Sequence, residues 1–143
     1  MRPIGVTLVG IYQILRGALG MLFALSIMLF SGLAAKLASI AAEGNAVERA
    51  LHGFGHFIGI GVLVFGLIHV AAGVGLLKVQ NWARLITLLL SAIGIVLLLP
   101  TLLVSHGMPL IFGVINAISI FYLATPPIKR LFHADRPALR AAA

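Results

Sequence analysis

Four apolar segments, separated by short polar breaks, dominate the hydrophobic pattern of this chain of 143 residues. The breaks fall at three places: Gly44-Asn45, Lys78 to Asn81, and His106-Gly107. Pro3 and Pro109 suit the first turn of a helix, and Asn45 followed by Glu48 has the spacing of a capping box. The pattern therefore predicts helices over about residues 4–43, 46–77, 82–104 and 109–125, followed by a tail over 126–143.

Composition identifies the solvent that surrounds these helices. Hydrophobic residues make up 62% of the chain and charged residues only 9%, whereas soluble domains carry about 25% charged residues. A soluble fold of this size has no interior large enough for so much apolar surface, so the bilayer is the solvent that fits. We predict an all-α fold, a four-helix transmembrane bundle in a single domain over residues 1–143, in which helices one and two form a long hairpin. The stretch from Ile128 to Phe132 is amphipathic, and we expect it to lie on the membrane surface.

The basic residues predict the orientation. Seven of them lie at the N-terminus, in the second loop or in the tail: Arg2, Lys78, Arg84, Lys129, Arg130, Arg136 and Arg140. The first loop holds two, Lys36 and Arg49, which Glu43 and Glu48 offset. The positive-inside rule then places both termini in the cytoplasm. Because the cations flank apolar segments, we interpret the formal charge of +7 as a determinant of membrane topology and of contact with anionic lipid. We expect no nucleic acid partner.

Small residues recur at a heptad period on helices one and two. Helix one carries Gly10, Gln13, Gly17, Gly20, Ala24 and Ser31. Helix two carries His52, Gly55, Gly59, Val62, Gly66, His69, Gly73 and Leu76. Lipid supplies no hydrophobic drive between helices, so close backbone approach must hold them together. The simpler interpretation is that these two helices pack on each other, and the alternative is a surface for another protein or a flat cofactor.

His69 is the candidate cofactor ligand, because it lies between Gly66 and Gly73 near the middle of helix two. A planar ring needs such a flat wall beside its axial ligand, and imidazole binds haem iron or chlorophyll magnesium. The alternative is a neutral histidine bonded to a neighbouring helix, with Tyr12, Gln13, Ser91 or Asn116 as its partner. His52 and His56 have metal-ligand spacing, but a closed zinc site needs four ligands and Glu48 offers only a third. We therefore predict no metal site.

Other polar residues lie within the apolar segments. Arg16 is about 18 Å along helix one, where a charge must face protein or water unless it reaches back to the surface. Helix three presents Arg84, Thr87, Ser91 and Gly94 on one face, and helix four presents Gly113, Asn116 and Ser119. We expect Arg16 and Asn116 to belong to a helix-packing or partner interface with Gln13 and the glycines of helices one and two.

Three stretches carry a family resemblance: "RPIGVTLVGIYQILRG", "GLLKVQNWARLITLLLSAIG" and "INAISIFYLATPPIKRLF". Its anchors are the opening Arg-Pro, the turn Asn81-Trp82-Ala83-Arg84, and Asn116 with Tyr122-Leu123. Together they resemble small four-helix bacterial integral membrane proteins of uncharacterised function. The resemblance implies a multi-pass protein of the bacterial inner membrane and no particular chemistry.

The sequence predicts a protein that is not an enzyme. It contains no nucleophile–base pair, no paired carboxylates, no phosphate loop and no cysteine. We expect an accessory or structural subunit of a larger membrane complex, with lipid and other membrane subunits as partners. One alternative is a pigment- or haem-binding subunit of a photosynthetic or respiratory assembly that uses His69. A further alternative is a small transporter or channel, favoured only by Arg16.

Overall fold

The computed structural model describes residues 3–41, 45–104 and 107–132. These residues are helical apart from short turns, and no strand occurs among them. The helices are α1 (Ile4–Ala41), α2 (Asn45–Leu77), α3 (Asn81–Val104), α4 (Met108–Ala124) and α5 (Pro126–Leu131). The all-helical class is confirmed, and the helix boundaries lie close to those that the hydrophobic pattern predicts. The predicted extension of helix one to Glu43, the residue His106 and the tail beyond Phe132 lie outside the described residues.

Three helices of the described chain are long and apolar enough to cross a membrane. Their spans are Ile4–Ile40, Glu48–Leu77 and Asn81–Pro100. The apolar helix Pro109–Ala124 is shorter. At about 1.5 Å per residue, α1 is about 57 Å long and α2 about 50 Å, whereas a bilayer core is about 30 Å thick.

The chain divides into two compact units. The hairpin unit comprises Leu15–Val70, and the terminal unit comprises Met1–Ile14 with Ala71–Ala143. Helices α1 and α2 each contribute residues to both units, whereas α3, α4 and α5 belong to the terminal unit alone. Each unit has its own set of interhelical contacts.

The turn between α2 and α3 orders one end of the terminal unit. Val79 adopts a positive φ of 56°, an uncommon conformation for a β-branched residue. The Gln80 amide donates to the Gly75 carbonyl over 2.9 Å, and the Val79 amide donates to the Leu76 carbonyl over 2.9 Å. This pair of bonds is the Schellman motif, which ends a helix and satisfies its last carbonyls. The predicted turn from Lys78 to Asn81 therefore has a defined backbone.

An apolar cluster packs in the terminal unit and includes the short helix α5. Its buried residues are Val6, Val9, Leu76, Ala83, Leu123, Ile128 and Phe132. Thr125 is extended (ψ 145°) between α4 and α5, and its hydroxyl donates to the Tyr122 carbonyl over 2.8 Å. The turn lets α5 begin at Pro126 and brings Ile128 into the cluster. The stretch from Ile128 to Phe132, which we expected to lie on the membrane surface, thus packs its apolar side against the protein. Ile128 and Phe132 are only 6% and 3% exposed.

Candidate functional site

Glycines bring α1 and α2 close together within the hairpin unit. A Cβ placed on Gly17 would lie 2.6 Å from the Gly66 carbonyl oxygen and 2.9 Å from the Val70 nitrogen. A Cβ on Gly66 would lie 2.9 Å from the Gly17 carbonyl oxygen. These separations are shorter than ordinary carbon contacts, so only residues without a side chain fit where the two backbones meet.

The same antiparallel pairing recurs along both helices. Gly59 faces Met28 and the Ala24 carbonyl, and a Cβ on Gly20 would lie 3.8 Å from the Gly66 Cα. In the terminal unit, a Cβ on Gly73 would lie 2.7 Å from the Gly10 carbonyl oxygen. The six glycines predicted to form a packing interface therefore each lie against the opposite helix of this pair: Gly10, Gly17, Gly20, Gly59, Gly66 and Gly73.

His69 is buried in the hairpin unit with one ring nitrogen bonded. It is 2% exposed, and its Nδ1 lies 2.9 Å from the Phe65 carbonyl oxygen. Since a carbonyl only accepts, Nδ1 carries the proton, and in a neutral imidazole Nε2 then carries the lone pair. Nε2 is buried and has no hydrogen-bond partner. The Phe65 ring packs edge-on against the imidazole with a centroid separation of 4.6 Å.

The glycines beside His69 do not present an open wall. Gly66 is covered by Gly17 and Met21, and Gly73 is covered by Gly10 and Ile14. A planar macrocycle on these two glycines would have to displace α1. The tautomer of His69 suits a metal ligand, whose second nitrogen commonly donates to a carbonyl, but the helix surface next to it is already occupied.

Arg16 lies at the level of His69 in the antiparallel pair of helices. Its side chain is partly buried, and its charge is close enough to the His69 ring to interact with it. The place of Arg16 in a helix-packing or partner interface stays a prediction.

His52 and His56 form a stacked pair near the beginning of α2. Their ring centroids are 4.1 Å apart, and Nδ1 of His56 lies 3.0 Å from the His52 carbonyl oxygen. No group of three His, Cys, Asp or Glu residues with metal-binding geometry occurs in the part of the chain that the structure describes. The stacking and the backbone contact make the pair a local contact within α2.

A row of polar side chains runs down the buried face of α3 in the terminal unit. Arg84, Thr87 and Ser91 are 6%, 0% and 1% exposed. Nε and Nη1 of Arg84 and the hydroxyl oxygens of Thr87 and Ser91 are buried and have no hydrogen-bond partner. The row follows helical steps of three and four residues, and the buried Gly94 continues it.

Other hydroxyls of the chain behave differently from those of Thr87 and Ser91. Five donate to a carbonyl three or four residues earlier in the chain: Ser26, Ser31, Ser39 and Ser119 within their own helices, and Thr125 at the end of α4. Such bonds are the usual solution for a hydroxyl on an apolar helix. Thr87 and Ser91 make no bond of this kind, and their oxygens are buried without a hydrogen-bond partner.

Two further residues predicted to lie at interfaces, Gln13 on α1 and Asn116 on α4, are also buried in the terminal unit. They are 1% and 0% exposed, and the Gln13 Oε1 has no hydrogen-bond partner. Buried polar atoms are bonded in the large majority of cases, because desolvation without a bond costs about 1–3 kcal/mol. The polar interior of this unit is therefore the most distinctive chemical feature of the described chain.

Comparisons with protein family models, with curated proteins and with solved structures give no match to this chain.

Proposed function

We propose that the chain is a membrane protein of four spans with both termini in the cytoplasm, and that it acts as a non-catalytic accessory or structural subunit of a larger membrane complex. The observation that carries this proposal is the outer surface of the hairpin unit. With the exposed apolar residues that precede it on α1, this surface runs from Ile4 to Ile40, about 54 Å, a greater length than a bilayer core of about 30 Å requires.

The exposed apolar residues of the hairpin unit extend along both helices. On α1 they include Leu19, Leu22, Phe23, Leu29, Phe30, Leu33, Leu37 and Ile40, and on α2 Leu51, Phe54 and Phe57. Phe30 lies 26 residues after Ile4, about 39 Å along α1. A bilayer core of about 30 Å covers the first part of such a helix, but an upright helix carries the rest beyond it. Exposed apolar surface outside lipid is typical of a protein interaction site.

The glycine contacts between α1 and α2 also support this proposal. Because they hold α1 and α2 to each other within each unit, these glycines are not available to a partner. The contacts also give the hairpin a rigid core from which its outer side chains project. A partner would therefore bind the exposed apolar faces, with the far part of α1 as its principal contact.

Photocrosslinking tests this proposal at two matched positions. Phe30 and Leu19 are 67% and 65% exposed, and their spacing of eleven residues, about three turns, places them on the same face of α1. With a benzophenone amino acid at position 30, we expect a protein adduct of one defined mass in intact cells. At position 19, about 22 Å along the helix, we expect lipid adducts alone.

The outcomes separate the proposal from its competitors. Lipid adducts at both positions would contradict a subunit role, because the entire hairpin would then lie in lipid. An adduct of twice the 15.1 kDa mass of the chain would identify a homo-oligomer in place of a larger complex. A protein adduct at both positions would move the contact into the membrane core.

The lone pair on Nε2 of His69 favours a second candidate, a haem- or pigment-binding subunit. If His69 is an axial ligand, its replacement by leucine should release the cofactor, and the purified protein should lose a visible absorbance band while its helices remain folded. We expect instead that the parent protein shows no such band, because α1 covers Gly66 and Gly73. We also expect the free energy of unfolding of the variant to be no more than about 1 kcal/mol below that of the parent, or to exceed it, since leucine removes an unbonded buried nitrogen. A band that disappears in the variant would establish the second candidate.

A further inference from the structure

We infer that Arg84, Thr87 and Ser91 form a binding site for the phosphate and ester groups of an anionic phospholipid. This inference rests on the terminal unit and is independent of the proposed subunit role. Its starting point is the buried guanidinium of Arg84, which is 6% exposed and has two nitrogens without a hydrogen-bond partner. A buried cation without a partner is strongly unfavourable, so an anion that pairs with the guanidinium binds with a large gain in free energy.

The electrostatics of this region select a negative ligand. Arg84 lies in the first turn of α3, where the helix dipole adds positive potential, and that turn contains no acidic residue. The acidic side chains of the chain are Glu43, Glu48 and Asp135. Glu48 belongs to the hairpin unit, so the described part of the terminal unit has no acidic side chain. The exposed cations Lys78, Lys129 and Arg130 add to the positive potential.

The side chains of the row also match the order of groups in a phospholipid. From Arg84 to Ser91 the row extends about 10 Å along α3, and Trp82, 46% exposed, marks the interfacial level beside its beginning. All three side chains can donate hydrogen bonds. A headgroup phosphate accepts at Arg84. The hydroxyls of Thr87 and Ser91 are enclosed by protein, since the two residues are 0% and 1% exposed, so the ester carbonyls, which lie deeper in the bilayer, accept there only when the side chains that cover these hydroxyls move aside.

The test measures lipid binding by native mass spectrometry of the purified full chain, with phosphatidylglycerol and phosphatidylcholine as probes. Both lipids carry a phosphate and two esters, but only phosphatidylglycerol has a net negative charge. We expect the parent to bind phosphatidylglycerol more tightly, and Arg84→Gln to weaken that binding by about tenfold or more. Arg130→Gln is the matched control, since it removes an exposed arginine from the same unit. It should leave the affinity within about twofold.

A second variant keeps the inference testable if Arg84→Gln fails to fold. Thr87→Val removes one hydroxyl at nearly constant volume and leaves the charge in place. This variant should weaken the binding of phosphatidylglycerol by about threefold to tenfold, which is the effect of one neutral hydrogen bond. Unchanged binding in Thr87→Val and in a folded Arg84→Gln would overturn the inference. Equal losses in Arg84→Gln and Arg130→Gln would also overturn it, because they would indicate surface charge alone.

Two further arms identify the source of the anion. Inorganic phosphate that displaces phosphatidylglycerol at millimolar concentration would reassign the site to a free anion and contradict the lipid. Asp135→Asn tests the carboxylate of the tail. If it destabilises the parent but has no effect in Arg84→Gln, the tail supplies the anion and the lipid assignment is overturned. If lipid binding and stability are unchanged in Asp135→Asn, the lipid assignment stands.

Discussion

Replacement of Gly66 by leucine should destabilise the protein by about 3 kcal/mol or more. A Cβ at this position would lie 2.9 Å from the Gly17 carbonyl oxygen and 2.8 Å from the Met21 Cγ. The Met21 side chain can move, but the carbonyl belongs to the backbone of α1. Leucine therefore forces the two helices apart and removes the dispersion contacts that hold them together in lipid. Unfolding of the purified protein in detergent, followed by circular dichroism, measures the effect.

Gly61 on the same helix provides the matched control. A Cβ placed on Gly61 meets no atom within 4 Å, and this glycine is exposed. Leucine there should be neutral or should stabilise the protein by up to about 1 kcal/mol, because glycine is a poor helix former. The expected free energies of unfolding of the two variants thus differ by about 3 kcal/mol or more, although the substitutions are chemically identical. If Gly66→Leu and Gly61→Leu unfold at the same point, the contact between α1 and α2 does not stabilise the protein.

The helices and their mutual packing were accessible from the sequence for a physical reason. In a bilayer the apolar segments must be helical, so their lengths and the polar breaks define α1 to α4. Only glycine permits two backbones to touch, so the periodic positions from Gly10 to Gly73 indicated the contact surface. Gln13 and His69 lie on the same periodic lines and are buried as well. The Nε2 of His69 has no bonded partner among Tyr12, Gln13, Ser91 and Asn116, which the sequence offered as alternatives.

Other features depend on tertiary contacts that no local pattern contains. Ile128 and Phe132 suggested an amphipathic segment on the membrane, because an apolar face packs equally well on lipid or on protein. The extended conformation of Thr125 decides between them by directing α5 toward Val6 and Leu76. Similarly, the spacing of Arg84, Thr87 and Ser91 predicted a shared face, but only the structure distinguishes their unbonded atoms from the back-bonded hydroxyl of Ser119.

Membrane topology produces the other large effect that we predict. The helix α4 has 17 residues, which is at the lower limit for a span. The positive-inside rule places both termini in the cytoplasm, and this needs an even number of crossings, so α4 must cross in addition to the three longer helices. Fusions of a reporter active only outside the cytoplasm, made after Gly44, Gln80, Gly107 and Ala143, test each crossing in turn. The fusion after Gln80 is the internal control for Ala143, because both sites are expected on the same side.

The reporter after Ala143 is the most direct measurement of the central claim, which is a four-span protein with cytoplasmic termini. We predict an inactive reporter after Gln80 and Ala143 and an active one after Gly44 and Gly107, with a difference of at least about tenfold between the two groups. Activity after Ala143 together with activity after Gly107 would show that α4 does not cross. The protein would then have three spans with its C-terminus outside, which would contradict the claim.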